Sequence, residues 1–361
     1  MLTDRHSLVH DVHVNKSSGT GFGDEWAGER GGELHARCER LLAQVGIDGE
    51  LRGVRSLEGG VSSDIVVVDV AGRRLCVKFA LPTLKTTERW EAPVGRNASE
   101  YAWLRFAATF APDNVPALLG QAEGGFAMAF VEGPDVRLWK RSLLDGQGQP
   151  VEEARAVGDL LGRVHAGSAR PEFEREPFDN LAWFEALRIE PYLRFTASRH
   201  AALAARLTAL ADELREGERV LIHGDVSPKN ILFRSAHPIL LDAECATMGD
   251  AAFDIAFCMN HLVLKSVHLP DSRRTLLAAV LALWSAYEPH VDWENQRALA
   301  SRVVALLPAL MLARVDGKSP VEYLSDVDRE RVRRLATTLL EDPSSRLGDL
   351  HDRLQTGMSA P

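Results

Sequence analysis

Asp225 and Asn230 are separated by four residues in His223-Gly224-Asp225-Val226-Ser227-Pro228-Lys229-Asn230. A second acidic pair, Asp242 and Glu244, follows after two short apolar runs, Ile231-Leu232-Phe233 and Ile239-Leu240-Leu241. A positioned carboxylate can accept a proton from a reacting hydroxyl. Carboxylate and amide oxygens together suit a hard cation such as Mg2+, which keeps several of its waters and takes only one or two protein carboxylates. Each acid taken singly reads equally as a turn former, a helix cap or a solvated charge. The joint pattern is more specific: an apolar run, Val220-Leu221-Ile222, leads into the loop, and the two later runs read as a hairpin that brings their flanking residues together.

Asp, four residues, Asn is also the spacing of the catalytic loop in phosphoryl-transfer enzymes, where the Asp takes the acceptor's proton and the Asn holds a metal. Gly224 occupies the middle of the triplet where protein kinases carry Arg. With Asp-x-Glu at Asp242 to Glu244, the pattern resembles the small-molecule kinases of the aminoglycoside phosphotransferase superfamily, which includes choline and methylthioribose kinases. From roughly residue 34 to 340 the order of elements is similar to that superfamily. The resemblance implies an α+β, bilobal protein-kinase-like fold, with a small N-terminal lobe bearing an antiparallel sheet and a larger, mainly helical C-terminal lobe. It also implies ATP and Mg2+ as cofactors: Asp225 would be catalytic, Asn230 and Asp242 would hold the metal, and Glu244 would support metal or acceptor.

Elements upstream must then carry the nucleotide. Leu57 to Ser63 reads as a loop whose Gly59 and Gly60 let backbone N–H groups approach phosphates, with a hydroxyl from Ser62 or Ser63. It feeds an antiparallel pair, 64–70 and 73–80, across the turn Ala71-Gly72. Lys78 lies among apolar neighbours in the second strand, where a buried charge requires a partner; the alternative is an edge-strand lysine facing solvent. The resemblance assigns Lys78 to the α/β-phosphates and an acid on the next helix to Lys78. Glu100 is the candidate. A second hairpin, 117–121 with 126–131, ends in Glu132-Gly133-Pro134, and Met128, Ala129 and Val131 resemble the hinge that holds adenine, although a plain strand end would look similar. The segment Val77 to Pro82 is similar to methylthioribose kinases, which makes Trp90 and Arg314 candidate counterparts of their sugar-binding loop and arginines, with Lys318 close by. Ser227-Pro228-Lys229 and the single arginine depart from that subfamily.

Helical periodicity marks 33–45, the start of a helix at 97–104, and 151–165, 181–195, 201–214, 275–287 and 297–313, while Asp254 opens a strongly apolar helix and is given a bracing role. The expected division is a polar tail 1–31, a nucleotide-binding lobe 32–132 and a catalytic and substrate-binding lobe 133–361. His6, His10 and His13 in the tail read as solvated rather than ligating.

Of 361 residues 45% are hydrophobic and 26% charged, a composition that supports a sizeable core. A net charge of −9 argues against nucleic acid or an anionic membrane as partner. No run of about 18 apolar residues and no signal peptide is evident. Four scattered cysteines, Cys38, Cys76, Cys245 and Cys258, show no metal-ligand spacing and suit a reducing cytoplasm. The expected partner is a small-molecule hydroxyl acceptor, sugar-like or amino-sugar-like, for a monomer or homodimer. An aminoglycoside-type antibiotic phosphotransferase and a non-catalytic nucleotide-binding pseudokinase are the competing readings.

Overall fold

The computed structural model describes residues 29–57, 63–81, 95–217 and 219–359. The expected phosphate-loop residues Gly59, Gly60 and Ser62, the candidate Trp90, and His6, His10 and His13 lie outside the described residues. The chain clusters into two compact units, Met1–Tyr101 with Pro116–Pro134, and Ala102–Val115 with Asp135–Pro361.

In the first unit, α1 (Glu29–Gln44) is followed by β1 (Leu51–Ser56), β2 (Ser63–Val70), β3 (Arg73–Ala80), β4 (Leu118–Ala122) and β5 (Gly125–Ala129) in one sheet of order β1-β2-β3-β5-β4. Every neighbouring pair is antiparallel. The turn between β2 and β3 holds Ala71 and Gly72 at φ 49° and 77°, the left-handed pair that matches hairpin twist. Alternation then sorts the side chains. Val66, Val68 and Val70 of β2 and Leu75, Val77 and Phe79 of β3 share a face and bury against Cys38, Leu41 and Leu42 of α1. Lys78 therefore projects from the opposite face. Sequence periodicity does not reveal β1, because Arg52 and Arg55 break its apolar pattern and Gly53, at φ 61°, sits in a register shift between Arg52 and Val54.

The second unit is mainly helical. After α2 (Arg96–Phe110), whose later residues belong to it, come β6 (Val136–Leu138), α3 (Trp139–Leu144) and α4 (Pro150–Ser168). A continuous helical stretch then runs through α5 (Leu181–Phe184), a π-helical segment Glu185–Arg194 containing Pro191, and α6 (Phe195–Arg199), before α7 (Ala204–Glu216). Four short strands follow, β7 (Val220–Ile222), β8 (Ile231–Arg234), β9 (His237–Leu240) and β10 (Thr247–Gly249), then α8 (Ala251–His268), α9 (Arg273–Tyr287), α10 (Gln296–Asp316), α11 (Asp326–Glu341) and α12 (Leu347–Ser359). Helix α8 is buried along almost its whole length and packs on α9 and α10. Asp250 starts it by accepting from Ala252 N–H.

The sequence has no unbroken run of about 18 apolar residues, and helix α10 is interrupted by polar side chains. By length and composition alone α10 is still apolar enough to cross a membrane, with 67% of that window buried inside the protein, and it is the one such helix among the described residues. All four cysteines are free and buried.

Candidate active site

Within the first unit, β3 and the start of α2 place one charged pair. Lys78 Nζ lies 2.6 Å from Glu100 Oε2 and 2.9 Å from Oε1, with both side chains buried. Glu100 sits one turn into α2, and Asn97 on the same helix ties that turn to the sheet through the carbonyls of Lys78 (3.4 Å) and Gly124 (3.3 Å). Removing one partner from such a pair would leave a buried charge uncompensated, at a cost of roughly 3–5 kcal/mol. Cys76, two residues away, has its thiol pushed up to about 12 by burial and is inert as a nucleophile. Met128 and Ala129 close strand β5 opposite Cys76 and Leu75, and Val131 lies half-buried just past its end rather than within it.

In the second unit, β7 delivers His223, Gly224 and Asp225 into a loop whose backbone is clamped from below. The Asp254 carboxylate of α8 accepts from His223 N–H (2.7 Å) and Gly224 N–H (2.9 Å), and His165 Nε2 lies 3.3 Å away on the same carboxylate. His165 in turn contacts Tyr287 Oη at 2.9 Å through Nδ1, so it is a satisfied packing histidine. The His223 ring is fully buried. Its Nδ1 accepts from Asp225 N–H (3.2 Å), so its Nε2–H donates to the Leu241 carbonyl at 3.1 Å. Burial lowers this histidine below its ordinary range despite nearby carboxylates, which keeps the ring neutral.

Gly224 is required for two reasons. It adopts φ 76°, and a Cβ there would meet the Cys245 carbonyl oxygen at 2.6 Å. An arginine, as in protein kinases, has no room at this backbone position.

Asp225 is buried between two cations. Arg188 Nη2 lies 3.0 Å from its carboxylate and Lys229 Nζ 3.2 Å. Burial pushes this carboxyl up, but Lys229 and Arg188 outweigh that and hold it below the usual carboxylate value, so it is ionised. Arg188 also donates to the Gly224 carbonyl at 2.6 Å, locking the guanidinium to the loop.

Asn230 Nδ2 donates to the Asp225 carbonyl (3.1 Å), and the Asn230 carbonyl accepts from Leu241 N–H (2.9 Å). The second bond continues the β8–β9 ladder, Ile231 facing Leu240, and so fixes where the chain leaves for Asp242. Asp242 takes φ 67°, a left-handed conformation that is strained for a residue with a Cβ and that clusters at functional sites. Asp242 is among the carboxylates acting on Asp225, and Glu244 is buried nearby enough to act on Arg188. With its amide nitrogen engaged, Asn230 keeps its amide oxygen as an acceptor. Among the described residues no group of three or more His, Cys, Asp or Glu is placed to hold a metal. That donor chemistry, one amide oxygen with one or two carboxylates, fits Mg2+ that depends on substrate phosphates for its remaining ligands, and does not fit a self-sufficient protein cage.

The other two candidates diverge. Arg314 is buried, donates to Tyr192 Oη (3.1 Å) and Ser319 Oγ (2.9 Å), and stays within the helical packing of α10. Lys318 is exposed, its Nζ 5.3 Å from the Phe195 ring centroid. Sequence reasoning passed over Arg188, which holds Asp225, and gave Lys229 no role. The available signal was an arginine inside the apolar run Leu187-Arg188-Ile189, on a helical stretch whose π-helical turns and Pro191 mark an irregular element.

A sheet with a buried Lys–Glu pair and a helical unit with a braced His-Gly-Asp loop, Asn230 and a following strained Asp define the protein-kinase-like class of phosphotransferases. The family model described as "Phosphotransferase enzyme family" matches residues 53–290, and the chain belongs to that family. A methylthioribose kinase of Bacillus mycoides is 22% identical over 275 residues, a match that spans 68% of this chain and 66% of that protein. Two solved structures share the fold. Amicoumacin kinase hAmiN in complex with AMP-PNP, Ca2+ and Ami has a TM-score of 0.57 at 12% identity, covering 90% of this chain and 99% of that one. An aminoglycoside phosphotransferase from Alicyclobacillus acidocaldarius has a TM-score of 0.50 at 15% identity, covering 89% of this chain and 96% of that one.

Proposed function

We propose that this protein is an ATP-dependent kinase that phosphorylates a hydroxyl group of a small polar metabolite, with Mg2+ as its metal. The observation that carries the reading is Asp225, ionised in a loop whose backbone is clamped by Asp254 and whose carboxylate is oriented by Arg188 and Lys229. Asp225 would align the acceptor hydroxyl and take its proton as the hydroxyl oxygen forms a bond to the γ-phosphorus and the bond to the ADP oxygen breaks. Asn230, Asp242 and Glu244 are the residues that would hold the metal, which when bound neutralises phosphate charge. Lys78, fixed by Glu100, would hold the α/β-phosphates, and Met128, Ala129 and Val131 would meet the adenine. Gly59, Gly60 and Ser62 remain proposed for phosphate cover and Trp90 for the acceptor. With so little covalent chemistry assigned to the protein, catalysis on this reading is positioning and charge neutralisation. Four buried thiols with no disulfide among them support a reducing, cytoplasmic site of action.

ADP release with Mg-ATP, measured over free sugars, amino sugars, methylthioribose, choline, aminoglycosides and hydroxy acids, tests the reading. One or a few acceptors are expected to stimulate release, and Asp225→Ala to abolish the stimulation. Stimulation that persists in Asp225→Ala would contradict the role given to this residue. Nucleotide binding without transfer to any acceptor would favour a pseudokinase.

A further inference from the structure

Helix α8 carries a second group of buried polar side chains, on the same face as Asp254 but two to three turns further on, that the kinase chemistry does not use. Lys265 is 1% exposed, and its ammonium lies 5.0 Å from the Tyr323 ring centroid. Among the described residues no carboxylate comes within salt-bridge distance of it; the nearest acting on it, Glu322, is paired with Lys140 of α3. His261, one turn back on α8, is buried with Nε2 lacking a hydrogen-bond partner, and Tyr323 Oη and Arg314 Nε are buried and likewise unpartnered. Glu322 is the one carboxylate among the groups acting on Lys265, and Lys140 and Arg314 act on Glu322 in turn. An unsatisfied buried donor costs about 1–3 kcal/mol, so this cluster favours a bound polar group that would satisfy it.

This group is linked to Asp225 by a short chain of contacts. Arg188, on Asp225, lies one turn from Tyr192 on the π-helical segment. The Tyr192 hydroxyl accepts from Arg314, and its ring packs at 5.6 Å on Phe257, which packs at 5.2 Å on His261. Lys265 is pulled down to about 7, first by burial and then by the repulsion of Lys140, against the pull of Glu322. His261 is lowered by burial and by Arg314, Lys265, Lys229 and Lys140. The charged groups acting on His261 are all basic, Arg314, Lys265, Lys229 and Lys140, the opposite of what a polycationic acceptor would need.

We propose that Lys265, with Arg314, His261 and Tyr323, receives an anionic end, a carboxylate or a phosphate, of the acceptor whose hydroxyl is presented to Asp225. The acceptor class is then a hydroxy acid, a sugar acid or a sugar phosphate. The inference rests on the kinase reading for what happens at Asp225, but the binding of the anion stands independently of turnover.

Binding of D-gluconate, D-ribose 5-phosphate, D-glucose and D-glucosamine is measured by titration calorimetry at pH 7.5 with the nucleotide site filled by Mg-AMP-PNP, in two buffers of different ionisation heat. At least one of the two anions is expected to bind saturably and with net proton uptake, because an anion raises the lysine's proton affinity. Its affinity should fall at least tenfold in Lys265→Met, with the proton uptake lost, while the melting temperature is held or raised. Carboxylate and phosphate arms tell the two sources of negative charge apart. The proposal is overturned if neither anion binds saturably, if glucose or glucosamine binds more tightly than both anions, or if Lys265→Met binds the anion as the wild type does. Failure of AMP-PNP to bind, with anion binding intact, would instead count against the kinase reading alone.

Discussion

Single residues in this protein hold charge where packing alone would exclude it. Lys265 is the clearest case, and its titration gives a signed prediction for stability. Its neighbours are Lys140 of α3, Arg314 of α10, Glu322 and Tyr323 of the following loop, and Cys258 and His261 on its own helix. The folded-state value near 7 lies below the ordinary lysine value of about 10.4. Between these two values the unfolded chain binds more protons, so this lysine's penalty is complete below about pH 7 and fades as pH rises towards 10. Urea unfolding at pH 7, 8 and 9 should therefore show a stability difference between Lys265→Met and wild type that is largest at pH 7 and shrinks with each step. A difference that is constant or grows with pH would show that Lys265 is charged and compensated throughout. Gly224 teaches a different residue-scale lesson. Its replacement of arginine is legible in the sequence as a deviation, but the cause, a carbonyl where a Cβ would sit, exists only once β7 and the Cys245 segment are folded against each other.

At the level of elements, α8 joins the His-Gly-Asp loop to the core. Its first turn presents Asp254 to two backbone donors of the loop, and its apolar flanks bury against α9 and α10. Replacing Asp254 by Ala would strand the N–H groups of His223 and Gly224 and loosen His165. At about 1–3 kcal/mol for each of the two stranded donors, stability should fall by roughly 2–6 kcal/mol, while Asp254→Asn, which keeps one carbonyl acceptor, should lose less. Denaturant midpoints of the two variants check this, and a loss below about 1 kcal/mol in Asp254→Ala would remove its bracing role. The sequence carried this helix well, since its apolar run and opening acids are local signals. The apolar periods of β2 and β3 were equally legible. Strand β1 was not, because two arginines and a bulged glycine erase its alternation. The π-helical segment also escaped, since nothing local separates it from an ordinary amphipathic helix apart from Pro191.

Across the whole molecule, each unit holds its own buried charges, and these can be perturbed separately. In the first unit Lys78 and Glu100 neutralise each other in a buried site. Lys78→Met should destabilise the protein by roughly 3–5 kcal/mol by leaving Glu100 uncompensated, and adding Glu100→Leu should restore most of that loss. Neither variant should bind ATP with wild-type affinity, so stability recovers in the double variant while nucleotide binding does not. Recovery of both would make the pair purely structural. The residue types and spacings of Lys78, Asp225, Asn230 and Asp242 were readable in one dimension because Lys78 is a lone charge in an apolar strand and the other three sit at a strand end or in a short loop. The remote partner that tunes Asp225 was not. Arg188 precedes it by dozens of positions on another element, and a contact made only by tertiary packing leaves no trace in local periodicity.

The central claim is that Asp225 serves transfer and not nucleotide binding. The most direct measurement follows the γ-phosphoryl group from Mg-ATP to an acceptor by mass spectrometry in wild type and Asp225→Ala, with ATP affinity determined in parallel. The account predicts one phosphoryl added to the acceptor by the wild type, loss of at least a thousandfold in rate in the variant, and ATP affinity within a few-fold of wild type. Transfer that persists in Asp225→Ala, or a variant that loses ATP affinity along with turnover, would contradict it.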